Sequence, residues 1–433
     1  MQSFVIKNGR VIDPHNGIDE VTDVVIENGR ISKIGRFSSS TSSSSVAVTG
    51  SDQGPSLDAS GCIVTAGLVD CHVHAYQHAT PLGINVDRSC LARGVTAVVD
   101  AGSSGSGTFS GLRRFIKDQC DTRVYCFLHI AQHGLAAAGC VAPGGGGEID
   151  SLNVVNVQDC VDTIKANRDM VIGVKVRLAV DISDSGKNEQ EAYRRALLAA
   201  REAGVPLMVH HARSNVLQTG ENGALGCPGD LEPGDIYTHC FHGHYGGIVD
   251  PATGRVSDAC WAAKRRGVLF DVGHGRGAFF WRVAEQCASE GFWPDIISTD
   301  LHTQCVEGPS YELTCTMSRM LHLGMELKDI VAAVTSKPAQ VIGKLSEIGH
   351  LGIGMAADVT VLRIDDISED LEDVEGAIRS VTKAFTPVAV FREGKQFEIL
   401  EGRRWPDPEV REKLEGIAAS WKLTDANKNA TEN

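Results

Sequence analysis

No stretch of this chain approaches the ~18 consecutive apolar residues that a membrane-spanning helix requires, so a helical membrane protein is not expected. The N-terminus, "MQSFVIKNGRVIDP", lacks a basic segment followed by an apolar one. A secretory signal peptide is therefore not expected, and the expected location is the cytoplasm. Paired CxxC cysteines are also missing. The 13 cysteines are odd in number and scattered, which argues against a disulfide framework and against an all-cysteine zinc site. Cys71 and Cys240 read as small buried apolar residues. Positive charge is in short supply, with 41 Lys and Arg against 55 Asp and Glu and a formal net charge of −14. That disfavours nucleic acid or an anionic membrane as partner and leaves a small molecule as the expected one. Neither GxGxxG nor a P-loop lysine occurs, so nucleotide binding is not expected. The glycine-rich stretches "DAGSSGSGTF" (100–109) and "PGGGGE" (143–148) read as mobile loops.

What is present has a clear order. Residues 1 to about 62 carry short β-type runs, "SFVIKNGRVID", "DVVIENGRISKIG" and "GCIVTAG", the first two broken by Asn-Gly, a hairpin signal. The serine-rich segment 38–45 interrupts them as a low-complexity loop tip. From residue 63 eight β-branched runs alternate with helical patterns: "LVDCHVH", "VTAVVD", "RVYCFLHI", "VIGVKVRL", "PLMVH", "DIYTHC", "GVLFDVG" and "DIISTD". "NEQEAYRRALLAAREAG" and "DACWAAKRRG" are typical of the intervening helices, and "ELKDIVAAVTSKPAQVIG" reads as one more. Eight strand–helix repeats point to a (β/α)8 TIM barrel, with a doubly wound open sheet as the alternative. β-type text returns after residue 348. The expected division is a small β-domain formed from both chain ends (1–62 with 349–400), the barrel (63–348), and a C-terminal helix and tail (401–433).

In a barrel, chemistry sits at the carboxyl ends of the strands. His72 and His74, two apart on one strand, share a face and can hold one metal ion. His210, His239 and Asp300 end later strands. Imidazole and carboxylate suit zinc first, and other divalent ions after it. His211 follows His210 directly, and strand alternation forbids both from facing the same ion. Position favours His210. Lys175 lies inside "VIGVKVRL", where a lone ammonium is costly to bury. Either it pairs with an inward carboxylate, or it is a neutral amine that takes up CO2 and bridges two metals as a carbamate.

In this order, "GLVDCHVH", "VKVR", "LMVH", "YTHCF", "DVGHG" and "ISTDLH" resemble the amidohydrolase superfamily, and more narrowly its dihydroorotase-like amidohydrolase/deacetylase metallohydrolase group. The resemblance spans about residues 4 to 396. It implies a binuclear centre of two divalent ions. His72 and His74 would hold the buried ion, His210 and His239 the exposed one, and carboxylated Lys175 would bridge them. Asp300 would bind the buried ion and transfer the proton. It further implies a homo-oligomer and hydrolysis of an amide or ester in a small N-acyl or O-acyl compound, with a metal-bridging hydroxide as nucleophile. Cyclic amide hydrolysis is the alternative, and a scaffold that has lost its ligands is a third reading. Dihydroorotases usually carry Arg two residues after the second His, where this chain has Tyr76. Tyr76, Arg177, His129 and His274 are the expected substrate contacts. For Arg177 a fork on a substrate carboxylate and a structural ion pair both stay open.

Overall fold

The computed structural model describes residues 3–36, 55–137 and 146–402. The serine-rich segment 38–45, residues 143–145 of the second glycine stretch and the expected helix and tail beyond Gly402 lie outside them. The first strand, β1 (Ser3–Asp13), pairs antiparallel with β2 (Ile18–Glu27), whose second half alternates buried and part-exposed residues, and β3 (Arg30–Gly35) follows. The two Asn-Gly pairs behave differently. Asn28 and Gly29, both at positive φ, make the two-residue turn joining β2 to β3, with Glu27 opposite Arg30. Asn8-Gly9 makes no hairpin. It is a bulge within β1, where the register shifts between Ile6 and Gly9. Two further strands, β4 (Ser56–Asp58) and β5 (Ile63–Ala66), pair parallel with β1.

The barrel follows as β6 (Leu68–Val73), β7 (Val95–Gly105), β8 (Arg123–His129), β9 (Val171–Leu178), β10 (Leu207–His211) and β11 (Ile236–Thr238). A small ribbon, β12 (Val249–Asp250) with β13 (Arg255–Val256), precedes β14 (Leu269–Phe270). Strands β6 to β11 and β14 form one seven-stranded parallel sheet. The eighth run, "DIISTD", forms no regular ladder. Its backbone still closes the circle through parallel bridges Asp271–Ile296 and Val73–Leu301, so the fold is the expected TIM-like barrel with an irregular eighth strand. At the chain's other end β15 (Val359–Glu372), β16 (Ile378–Arg392) and β17 (Lys395–Phe397) extend the first sheet, β15 pairing with β5. The small β-rich sheet is thus built from both ends of the chain.

Local sequence explains the connecting helices. Glu189–Ala203 buries Ala192, Tyr193, Ala196, Ala199, Ala200 and Ala203 and stops at Gly204 in the left-handed conformation. Asp258–Arg266 starts at Ser257, whose side chain accepts from Cys260 N–H, and stops at Gly267. The expected helix 326–343 is two helices, Leu327–Ala333 and Ser336–Val341. Pro338 explains the break: it suits a first turn and cannot continue a helix. Ala339 and Ile342 cover an apolar cluster with Val69, Ala97, Val99, Phe127, Met208 and Ile236. Val174, Val176, Leu207 and Val209 join the larger cluster with the helices. A second correction concerns "DAGSSGSGTF". Residues 100–105 are not a loop but the buried carboxyl half of β7. A side chain on Gly102 would lie 2.7 Å from Lys175 Cγ and 3.2 Å from His129 Cδ2. The glycine marks close packing rather than mobility.

Candidate metal centre

Strand register sets the site. His129 pairs with Lys175, Lys175 with Met208, and His210 with both Arg177 and Thr238. These neighbours therefore lie side by side near the carboxyl ends of the strands. His74 follows β6 and His239 follows β11. His239 and Asp300 hold positive φ, +67° and +47°, a region uncommon for non-glycine residues but more open to His and Asp than to most.

The second nitrogen of each imidazole fixes what the first can do. The Thr238 hydroxyl donates to Asp271 Oδ2 at 2.6 Å, so its oxygen is left to accept from His72 Nδ1 at 3.0 Å. His72 Nδ1 then carries the hydrogen and Nε2 presents a lone pair. His239 Nδ1 lies 2.6 Å from the Gly273 carbonyl, an acceptor only, which fixes the same tautomer. His74 Nδ1 is anchored to Ser103 Oγ at 2.9 Å. The Nε2 atoms of His72 and His74 converge on Asp300 Oδ1 at 3.2 and 3.0 Å. Oδ1 is nevertheless buried without a well-formed hydrogen bond. One ligand atom each from His72, His239 and Asp300 lies within 4.8 Å of the others. Lone pairs crowded this closely around a carboxylate oxygen fit a cation, so the donor set suits a divalent metal. His210 packs edge-on against His239, ring centroids 4.4 Å apart.

The electrostatics divide the imidazoles: burial would lower His72, but Asp300 and Asp271 outweigh it and raise its pKa above the ordinary value. Burial, helped by neighbouring imidazoles, pushes the pKa values of His210 and His239 well below the ordinary range and keeps both neutral. Burial would raise Asp300, but His72 and His74 outweigh it and hold the carboxyl well below its usual value. Lys175 is 1% exposed, with Nζ 3.3 Å from His72 Nε2 and 3.4 Å from Met208 Sδ. Burial lowers its pKa to about 7. This has a consequence for metal-stripped protein. The unfolded chain keeps the Lys175 proton up to the ordinary 10.5, while the folded chain releases it near 7. Between those values the unfolded state binds more protons, so unfolding free energy should rise with pH by up to about 1.4 kcal/mol per unit. Chemical denaturation at pH 7 to 10 checks this. A Lys175→Met variant should lose that part of the slope, and equal slopes would remove the neutral-amine reading.

Of the expected substrate contacts, Arg177 Nη1 pairs with buried Glu148 Oε1 at 2.8 Å. His129, on the same wall, accepts from Ala131 N–H through Nδ1, which leaves Nε2 as its protonated nitrogen. His274 stacks flat on Phe279, with Nδ1 at the Gly275 carbonyl. The Tyr76 hydroxyl donates to the Thr108 carbonyl at 3.0 Å. His211 has its nitrogens at Tyr237 Oη and the Val216 carbonyl, and His78 is exposed. Sequence reading missed Asp70, Ser103, Glu148, Thr238, Asp271 and His302. Asp70 stood in view, two residues before His72, as did Thr238 beside His239. The others had no signal of their own. His302 packs near His74, ring centroids 6.1 Å apart.

Comparison with known proteins places these features in context. A model of the amidohydrolase family matches residues 280–397. A deacetylase of Brucella anthropi is 30% identical over 372 residues, covering 85% of this chain and 86% of the relative. Among solved structures, an adenine deaminase superposes with a TM-score of 0.78 at 28% identity, covering 91% of this chain and 99% of that one. A dihydroorotase superposes with a TM-score of 0.77, also at 28% identity, covering 92% and 99%.

Proposed function

Because the chain belongs to the amidohydrolase family and is a hydrolytic enzyme, we propose that it is a binuclear metal-dependent deacetylase of small N-acyl or O-acyl compounds. The observation that carries the reading is the meeting of Asp300 Oδ1 with two imidazole Nε2 atoms, beside a buried lysine. His72, His74 and Asp300 would hold one divalent ion, zinc by its preference for such donors, and His210 and His239 the other, bridged by carboxylated Lys175. When bound, the pair supplies hydroxide near neutral pH and polarises the scissile carbonyl.

The chain's own residues do the rest. Asp300, ionised at rest, accepts the proton of the attacking water at a carboxylate oxygen. It then returns that proton to the leaving nitrogen or oxygen as the carbonyl–heteroatom bond breaks. Thr238, Ser103 and the Gly273 carbonyl anchor the Nδ1 side of His72, His74 and His239, which orients these imidazoles. Arg177, His129 and His274 line the strand ends as candidates for orienting the acyl compound.

The test is a hydrolysis screen of N-acetyl and O-acetyl small acids in both stereoisomers, with dihydroorotate and dihydrouracil as cyclic comparisons and metal analysis on the same preparation. Acetate release, with about two ions per chain and loss of activity on chelation, is expected. Ring opening alone would replace the reading with a cyclic amidase. Well under one ion per chain in active protein would end the metal reading.

A further inference from the structure

Asp300 sits in a less common backbone conformation, and its neighbours show what holds it there. Its φ of +47° lies in the left-handed region, which is uncommon for residues other than glycine though aspartate enters it more readily than most. The residues on either side are both stapled to β6. Thr299 N–H donates to Asp70 Oδ1 at 3.1 Å and Thr299 Oγ1 to Asp70 Oδ2 at 2.6 Å. On the other side, His74 N–H donates to the Leu301 carbonyl at 3.0 Å. The Thr299 carbonyl in turn accepts from Gly275 N–H at 2.8 Å and Ser310 Oγ at 2.9 Å. Asp70 is 1% exposed, and its Oδ1 also lies 3.4 Å from His72 N–H. One carboxylate thus spans the backbone of a ligating histidine and the residue before Asp300.

We propose that Asp70 and Thr299 form a positioning latch that fixes the left-handed Asp300 backbone and aims its carboxylate between His72 and His74. Neither residue reaches the reacting atoms. Their effect runs through Asp300, so the inference rests on the proton-transfer reading given above. The latch works against a second wall. A side chain on Gly275, itself at φ +51°, would lie 2.3 Å from Asp300 Oδ2. The carboxylate is therefore confined from the latch side and from the β14 loop.

The test uses the metal-loaded full chain. Thr299→Val keeps the shape and removes the hydroxyl, and Thr299→Ser restores it. Thr299→Val should lower kcat on an N-acetyl amino acid by roughly 10- to 100-fold, with KM changed less than about threefold. Metal content should stay at the wild-type level, and a crystal structure should show residue 300 relaxed or its carboxylate turned. Thr299→Ser should recover kcat to within about threefold. A Thr299→Val enzyme with wild-type kcat and an unmoved residue 300 would overturn the latch. So would a loss of kcat that serine fails to restore. If Asp300→Asn retains full activity, the proton-transfer reading fails instead. The position of residue 300 in the Thr299→Val crystal then judges the latch without recourse to rate.

Discussion

Replacing Lys175 with alanine is expected to empty most of the metal from the protein and to lower turnover by on the order of 10³-fold or more, with part of both restored by short carboxylic acids. The argument starts from cost. Lys175 sits among Val174 and Val176 on β9, fully buried, and among the described residues no carboxylate lies within ion-pair distance of its Nζ. A structural ammonium would need such a partner. Instead burial brings its pKa to about 7, so a large share is neutral amine near physiological pH. A neutral amine attacks CO2 and forms an N–C bond. The amine loses one proton, and the product is an anionic carbamate. Its two oxygens give the centre a negative charge where an ammonium would repel cations. The alanine cavity can admit formate, acetate or propionate, whose two oxygens replace those of the carbamate. Metal analysis and acetate release, with and without added acid, decide the matter. If Lys175→Ala keeps two ions and full activity, the bridge is wrong. Lost metal that no acid restores points to a packing role instead.

The ligand set of this proposal comes from the family resemblance, and only part of it follows from local geometry. Alternation on a strand places His72 and His74 together and excludes His211 from the company of His210, and the structure shows His211 turned to Tyr237 and Val216. Buried lysine in an apolar run is equally local. What stayed hidden depends on contacts between distant segments. Thr238 and Asp271 fix the tautomer of His72 across 166 residues of sequence, and Asp70 grips Thr299 across 229. Composition misled in one place. Gly102 and Gly105 suggested a loop, yet they are glycines because Lys175, His129 and the backbone of Ala131 and Gln132 fill the space a side chain would take. The eighth strand was readable as apolar text, but not as the irregular segment that turns Asp300 inward. Glu148 lies within a stretch whose glycines drew attention to mobility, while its own carboxylate is fully buried against Arg177.

Asp300→Asn separates two duties that one carboxylate combines, and it should lower kcat by on the order of 10² to 10⁴-fold while leaving both ions largely in place. Asparagine has the same shape and keeps an oxygen to face the Nε2 atoms of His72 and His74. It also tolerates the left-handed backbone at position 300 as readily as aspartate does, so the fold around the site should not change. What the amide lacks is the capacity to take a proton from water and give it back. The native carboxyl has that capacity and is ionised at rest, because His72 and His74 outweigh burial and hold its pKa well below the ordinary range. KM should therefore move little, because ground-state contacts survive and the loss falls on the transition state. Substrates with poorer leaving groups should suffer most, since an anilide or amide nitrogen needs the returned proton and an activated phenyl ester does not. Retention of kcat within about threefold on an amide substrate would remove Asp300 from proton transfer, and loss of both ions would show that its charge serves binding first.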